Sequence, residues 1–576
     1  MIKIGMLWLL LLLAVMPGFA QWKWFNPLQA EKNVVQGQGW DEALRGTFVR
    51  LPQQAKAEVR AAVWGLSQNS AGLAVCFYSN APQIRVRYQV TGGRAMPHMP
   101  ATGVSGVDLY ARGENGEELW CAGKYSFGDT IVYDFQKLVY RARHGKGYEY
   151  CLYLPLYNSV KWLEIGVPEE SGFEFVPRRT EKPIVVYGTS IAQGACASRP
   201  GMAWPSIVGR RFDRPVVNLG FSGNGKLEKN VLAYVNQIDA AVYVLDCMPN
   251  MYPGDDPEEL LVTAVGQIRS EHPRIPVLIT EHDGYTNEFT NQESQKAYQD
   301  ANKAARRAFE RLKQAGDENL YYLSHEDIGM NMEAMVDGVH STDWGMVLYA
   351  GAYEKILRGI LQEPEGRYKT MRPVRQRREA GGYDWNGRHE QLLQMNRESA
   401  PERVILGNSI VHYWGGKPAV IWKNGAKVWD KWLEPAGFRN LGFGWDRIEN
   451  VLWRVYHDEL SGYEAKQVVL MIGTNNLGDS TDEEIAEGIC FLAGAIRMRQ
   501  PSAEVKVVGI LPRRDMEERV RELNTKIRAL LPAGIVFTDA GESLLNAQGK
   551  IDESLFRDGL HPNEKGYGRI VKKVRK

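Results

Sequence analysis

The chain has 576 residues, 44% hydrophobic and 24% charged, with a formal net charge of +1. That length is too great for one hydrophobic core and predicts three or four domains. The balance of charge excludes a disordered polyelectrolyte and an electrostatic nucleic-acid binder, so partners must be sought in particular sites.

The first stretch, MIKIGMLWLLLLLAVMPGFA, places Lys3 before an apolar run from Ile4 to Met16, then Pro17, Gly18 and Ala20 ahead of Gln21. It predicts a signal peptide over residues 1–20, cleaved after Ala20, and hence a secreted or periplasmic protein. The alternative is an N-terminal anchor, but the run is shorter than the roughly 20 residues that span a bilayer. No later run is long enough either, so stable membrane insertion is not expected. Six cysteines (Cys76, Cys121, Cys151, Cys196, Cys247, Cys490) are too few for a disulfide framework. Cys196 and Cys247 lie near the motifs below and could pair, or both could be buried thiols.

From residue 21 to 178 the runs QIRVRYQV, GVDLYAR, TIVYDF, YEYCLYLPLY, VKWLEIGV and FEFV alternate with period two between turn residues. They predict antiparallel strands and a β-sandwich. No nucleophile there has a base nearby. Over 179–362 continuous apolar runs such as PIVVYG and AAVYVLDC alternate with helix-like stretches, an α/β texture with a buried parallel sheet. Glu363 to Gly382 then carries Arg367, Lys369, Arg372, Arg375, Arg377 and Arg378, which predicts a solvated linker, drawn over 363–394; a docking patch for an acidic polymer is the alternative. The α/β texture restarts over 395–576 with RVILGNSIV, QVVLMIGT, VKVVGILP and GIVFTDA.

Each α/β part opens with a strand running into Gly-x-Ser-Ile, placing Ser190 and Ser409, and closes with Asp-Gly-x-His, placing Asp337 with His340 and Asp558 with His561. Taken alone, such a serine is a helix N-cap and such an Asp-Gly a turn. The serine-to-histidine separations are 150 and 152 residues, however, and a unit that twice keeps Ser first and Asp-x-x-His last is a repeated domain with a repeated site. Between the ends, NLGFSGNGKLE matches NLGFGWDRIEN and LDCMPNM matches LMIGTNN. A hydroxyl attacking an ester carbonyl makes an oxyanion that needs two or three donors aimed at one point. The N–H groups of Ser190 and Gly223 with the Asn250 amide are the candidates in the first unit; Ser409, Gly444 or Trp445, and Asn475 are those of the second.

In this order GTSI/GNSI, NLGFSGNG/NLGFGWD, PNM/GTNN and DGVH/DGLH resemble the four blocks of the SGNH (GDSL-type) serine hydrolases. The resemblance implies two flavodoxin-like α/β domains, each with a Ser-His-Asp triad and no cofactor or metal. The second unit, with its GTNN and VLWR runs, looks like the platelet-activating-factor acetylhydrolase branch. It departs from that branch at Trp445, where a second Gly is usual, and the bulk there implies a small acyl group such as acetyl. The first unit is similar to a branch whose N-terminal sandwich bears a GxDLY signature, here Gly106 to Tyr110.

The resemblance further implies an exported carboxylic ester hydrolase removing O-acetyl groups from glycans, polysaccharide or sialic acid. Its partners would then be acetylated glycan and no nucleic acid. Sixteen tryptophans and twenty-six tyrosines offer flat faces for sugar rings, although most belong in cores. The alternatives are one catalytic domain beside a glycan-binding one, a non-enzymatic glycan binder, or a lipase or thioesterase for short acyl chains. Oligomeric state and the role of the sandwich are not legible.

Overall fold

The computed structural model describes residues 21–139, 145–252, 254–378 and 383–575; the signal-peptide reading over 1–20 lies outside them. The alternating runs pair antiparallel into two sheets. One has the spatial order Trp22–Phe25, Val160–Pro168, Gln83–Val90, Ile131–Gln136, Gly123–Phe127; the other Phe173–Phe175, Ala74–Ser79, Tyr148–Tyr153, Asp108–Arg112, Glu118–Cys121. Their inward residues, among them Phe77, Ile84, Val86, Leu109, Leu152 and Ile165, form the sandwich core. Strand Ala74–Ser79 is buried at every position, so AVCFYS shows no alternation and gives no period-two signal. Cys76 on that strand faces Cys151 in register, and the two form a disulfide. Cys196 and Cys247 do not pair: both are free, buried thiols.

Each α/β part is a five-stranded parallel sheet whose second strand lies at the edge, beside the first, an order of 2-1-3-4-5. In the first domain the strands are Ile184–Gly188, Val216–Gly220, Val242–Asp246, Val277–Thr280 and Leu320–Leu323. In the second they are Arg403–Gly407, Phe438–Gly442, Gln467–Met471, Glu504–Val508 and Val536–Thr538. The two central strands Ile184–Gly188 and Val242–Asp246 are buried throughout, which explains their unbroken apolar sequence. Both nucleophile candidates sit where the strand order reverses, the crevice that open α/β sheets use for ligands.

The stretch read as a solvated linker is solvated only in its first half, where Arg367, Lys369 and Arg372 are exposed. Arg375, Gln376, Arg377 and Arg378 are all buried. Arg375 bridges Asp213 of the first α/β domain at 2.8 Å and Glu149 of the sandwich at 2.7 Å, and Arg377 reaches the same Glu149 at 3.1 Å. Basic residues cluster here because buried carboxylates of two domains converge on them. The boundary at 395 is also displaced: helix Trp385–Glu398 buries Trp385 and Leu392 in the second α/β core and belongs to that domain.

The GVDLY signature is likewise a joint. Asp108 Oδ2 accepts from Arg199 Nη1 at 2.5 Å and from the Gly201 N–H at 3.1 Å, and Tyr110 meets the same guanidinium. The signature thereby grips the segment that follows the Ser190 helix.

Candidate active sites

Each serine is the first residue of a short helix, Ser190–Gln193 or Ser409–His412, capped by Thr189 or Asn408, whose side chain accepts the N–H two residues on. The helices lie close against the second strand because that strand ends in glycine: a Cβ on Gly220 would fall 2.4 Å from Gln193 N, and one on Gly442 2.3 Å from His412 N. Asn218 and Asn440 fix the approach from the strand side, each donating its amide at 2.7 Å to the carbonyl of Ala192 or Val411.

Both serines lie within hydrogen-bond reach of their histidines: Ser190 Oγ to His340 Nε2 is 2.9 Å, and Ser409 Oγ to His561 Nε2 is 2.9 Å. The second ring nitrogen meets the carboxylate, His340 Nδ1 to Asp337 Oδ2 at 2.8 Å and His561 Nδ1 to Asp558 Oδ2 at 2.7 Å. The other carboxylate oxygen accepts the backbone N–H of the same histidine, at 2.9 Å and 2.7 Å, so the Asp-x-x-His loop closes on itself. Partial burial pushes both carboxyls up, but hydrogen bonds from their histidines outweigh it and hold each below its ordinary range. A charged carboxylate fixes the tautomer with Nδ1 protonated, leaving Nε2 to accept from the serine.

The loops after the second strand carry the remaining candidates. Gly223 and Trp445 stand at equivalent positions, and neither N–H has an acceptor among the described residues. Gly444 differs: its N–H donates to His412 Nδ1 at 3.0 Å, so of the pair Gly444 and Trp445 only Trp445 offers a free donor. In the first domain Ser222 N–H is held in the same way by Gln193 Oε1 at 3.0 Å. Asn250 uses its amide oxygen to accept Gly225 N–H at 3.0 Å, which fixes the amide and leaves the NH₂ as its donor. Asn475 instead donates one amide hydrogen to Asp446 O at 2.9 Å and keeps the other.

Gln193 and His412 were not among the sequence candidates, although each stands three residues after its serine in the repeated block, and that shared position was the available signal. Burial pushes the His412 imidazole down to about 2, so it stays neutral and can accept. Gln376 and Arg378 carried no such signal. They fasten the second loop through its carbonyls: Gln376 Nε2 to Gly444 O at 3.1 Å, Arg378 Nη2 to Trp445 O at 3.1 Å, with Tyr383 Oη on Gly444 O at 2.7 Å. Arg454 of VLWR is fully buried, meeting Asp446 at 2.9 Å and Glu459; it supports this loop from beneath.

Comparison with known proteins agrees with this geometry. Residues 181–358 and 405–569 each match a model of the GDSL-like lipase/acylhydrolase family, and residues 22–173 match the N-terminal domain of SGNH-hydrolase-type esterases. The chain is 29% identical over 194 residues to the platelet-activating factor acetylhydrolase IB subunit alpha1 of Bos taurus, covering 33% of this chain and 79% of that protein. The alpha2 subunit of Bos taurus gives 29% over 194 residues, 33% of this chain and 80% of that one. A crystal structure of a GDSL-like lipase from Bacteroides ovatus superposes with a TM-score of 0.54 at 29% identity, covering 59% of this chain and 98% of that chain.

Proposed function

The chain belongs to the GDSL-like lipase/acylhydrolase family in both of its α/β domains, and from that premise we propose that it is an exported serine esterase that removes O-acetyl groups from carbohydrates at two active sites. The observation that carries this reading is the doubled relay, Ser190-His340-Asp337 and Ser409-His561-Asp558, with 2.9 Å from hydroxyl to imidazole in each. In either site the histidine takes the serine proton as Oγ attacks the ester carbonyl, then returns it to the leaving alkoxide. Water, activated by the same histidine, releases the acid. The oxyanion faces the N–H groups of Ser190 and Gly223 with the Asn250 amide, or of Ser409 and Trp445 with the Asn475 amide.

Acetyl is favoured by the bulk of Trp445 beside the second nucleophile and by the acetylhydrolase names of the curated relatives. Sugar rather than lipid is favoured by aromatic faces open to solvent around Ser409: Trp422 is 51% exposed and Trp445 53%, and the Tyr413 ring lies 5.5 Å from that of His561 at a tilt. The cleft of about 360 Å³ beside Tyr413 and Trp422 is also lined by Asp384, Arg388 and Gln391, polar groups suited to hydroxyls. Export rests on the N-terminal apolar stretch alone.

The test is acetate release from acetylated xylan, acetylated pectin and O-acetylated sialic acid by the wild type, Ser190→Ala, Ser409→Ala and the double variant. Each single change is expected to abolish release from one group of substrates, and the double change to abolish all of it. Release that survives the double change would end the serine mechanism. Saturable binding by Ser409→Ala with no loss of activity would make the second domain a glycan-binding module.

A further inference from the structure

We propose that the first site contains a receptor for a divalent transition-metal ion of the zinc class, built from His98, Cys196, Asp337 and His340, and that metal capture there silences Ser190 while leaving Ser409 active. The metal site stands on geometry alone; only its inhibitory consequence rests on the catalytic reading above.

The four side chains offer ligand atoms that all lie within 4.8 Å of one another. They come from three separate places: a sandwich loop supplies His98, the segment after the Ser190 helix supplies Cys196, and the Asp-x-x-His loop supplies the rest. Cys196 has φ +66°, a left-handed backbone that costs a non-glycine residue energy, and that backbone delivers a buried Sγ to this spot. Among the described residues the thiol has no hydrogen-bond partner beyond the His98 carbonyl at 3.3 Å. The His98 imidazole stands 5.8 Å from that of His340, centroid to centroid, and is exposed. Two imidazoles, a thiol and a carboxylate make a donor set that suits zinc, which binds such ligands tetrahedrally at roughly 2.0–2.3 Å. Separations of up to 4.8 Å require the ligand atoms to draw together on binding, and the exposed His98, outside the Asp-x-x-His loop, is free to move.

The consequence for the relay follows from proton bookkeeping. Metal takes the lone pair of His340 Nδ1, so the neutral ring must carry its proton on Nε2, and a protonated Nε2 cannot accept from Ser190 Oγ. Cys196 loses its proton to solvent, and thiolate and Asp337 carboxylate together neutralise the ion. No bond to substrate forms and nothing is oxidised. The second site lacks the receptor: Gly415 takes the place of Cys196 in the repeated block, and His561 faces Tyr413 where His340 faces His98. A second group, Glu281, His325 and Glu326, has a single imidazole, and Glu281 is already held by Tyr322, Arg306 and His325.

The test uses the full chain and zinc chloride. Hydrolysis of p-nitrophenyl acetate by Ser409→Ala, which keeps the first site, is expected to fall at least about tenfold at a zinc concentration that leaves Ser190→Ala within about twofold. Adding Cys196→Ser or His98→Ala to Ser409→Ala should relieve that inhibition. Independently of activity, cobalt(II) added to Ser190→Ala should give a thiolate-to-cobalt charge-transfer band that Cys196→Ser removes. No band, or a Cys196→Ser variant as zinc-sensitive as its parent, would overturn the proposal. A band without esterase activity in any variant would support the metal site and overturn the catalytic reading instead.

Discussion

Gly223 and Trp445 share a left-handed φ, +67° and +66°, at equivalent positions of the two repeats. Glycine adopts it freely; a residue with a β-carbon does so at a cost of roughly 1–2 kcal/mol. The second domain thus holds an unfavourable conformation at its candidate oxyanion donor, and the indole it keeps there is half exposed.

Trp445→Gly should therefore stabilise the protein by about 1 kcal/mol and open the second site to longer acyl chains. The measurements are the thermal midpoint and the ratio of p-nitrophenyl butyrate to acetate hydrolysis in a Ser190→Ala background. A lower midpoint with an unchanged ratio would show that the indole is held by contacts worth more than the strain.

His412→Gln should be tolerated, because the first domain uses Gln193 in the same role. His412→Leu leaves the buried Gly444 N–H without an acceptor, at about 1–3 kcal/mol, and should lower kcat at the second site more than it raises KM. Equal behaviour of the two variants would remove His412 from any role in placing the loop.

Arg378→Met should impair the second site only. It deprives Trp445 O and Asn450 Oδ1 of a donor, bonds of 3.1 Å and 2.7 Å. Loss of kcat on the order of tenfold in the Ser190→Ala background, with Ser409→Ala unaffected, is the expected pattern. Loss in both backgrounds would mean that the change disturbs the whole assembly.

Acid should leave the joint between domains intact until well below neutrality. Burial pushes Glu149 up, but Arg375 and Arg377 more than offset it and hold the carboxyl down to about 2. A depressed folded value means that the stabilisation, on the order of 3 kcal/mol, is complete above about 4.5 and is lost as pH falls toward about 2. Unfolding midpoints of the wild type and Glu149→Gln, followed from pH 6 to pH 2, should differ most at the upper end and converge in acid.

What the sequence disclosed follows from what repeats and what alternates. The serines, the Asp-x-x-His pairs and the middle blocks were legible because each occurs twice in one order, and strands such as Gln83–Val90 and Ile131–Gln136 because burial alternates along them. Strand Ala74–Ser79 was not, being covered on both faces. Nor was the arginine run: charge is ordinarily a mark of solvent, and only the fold brings Glu149 and Asp213 together around Arg375. Gly444 could not be told from Trp445 without seeing which N–H was already engaged.

The arginines between the hydrolase halves bear on how the chain can be taken apart. A fragment ending at residue 362 would keep Arg179 on Asp213 at 3.0 Å but strip Glu149 of both its cations, Arg375 and Arg377, leaving a buried acid that must then protonate or move to solvent. A fragment starting at 395 would lose most of helix Trp385–Glu398 from its core, Trp385 and Leu392 included, and Arg378 from the Gly444–Trp445 loop. Activities assigned by dissecting the chain at its apparent seam would describe damaged halves, and point substitution of one serine at a time is the cleaner way to hear each site alone.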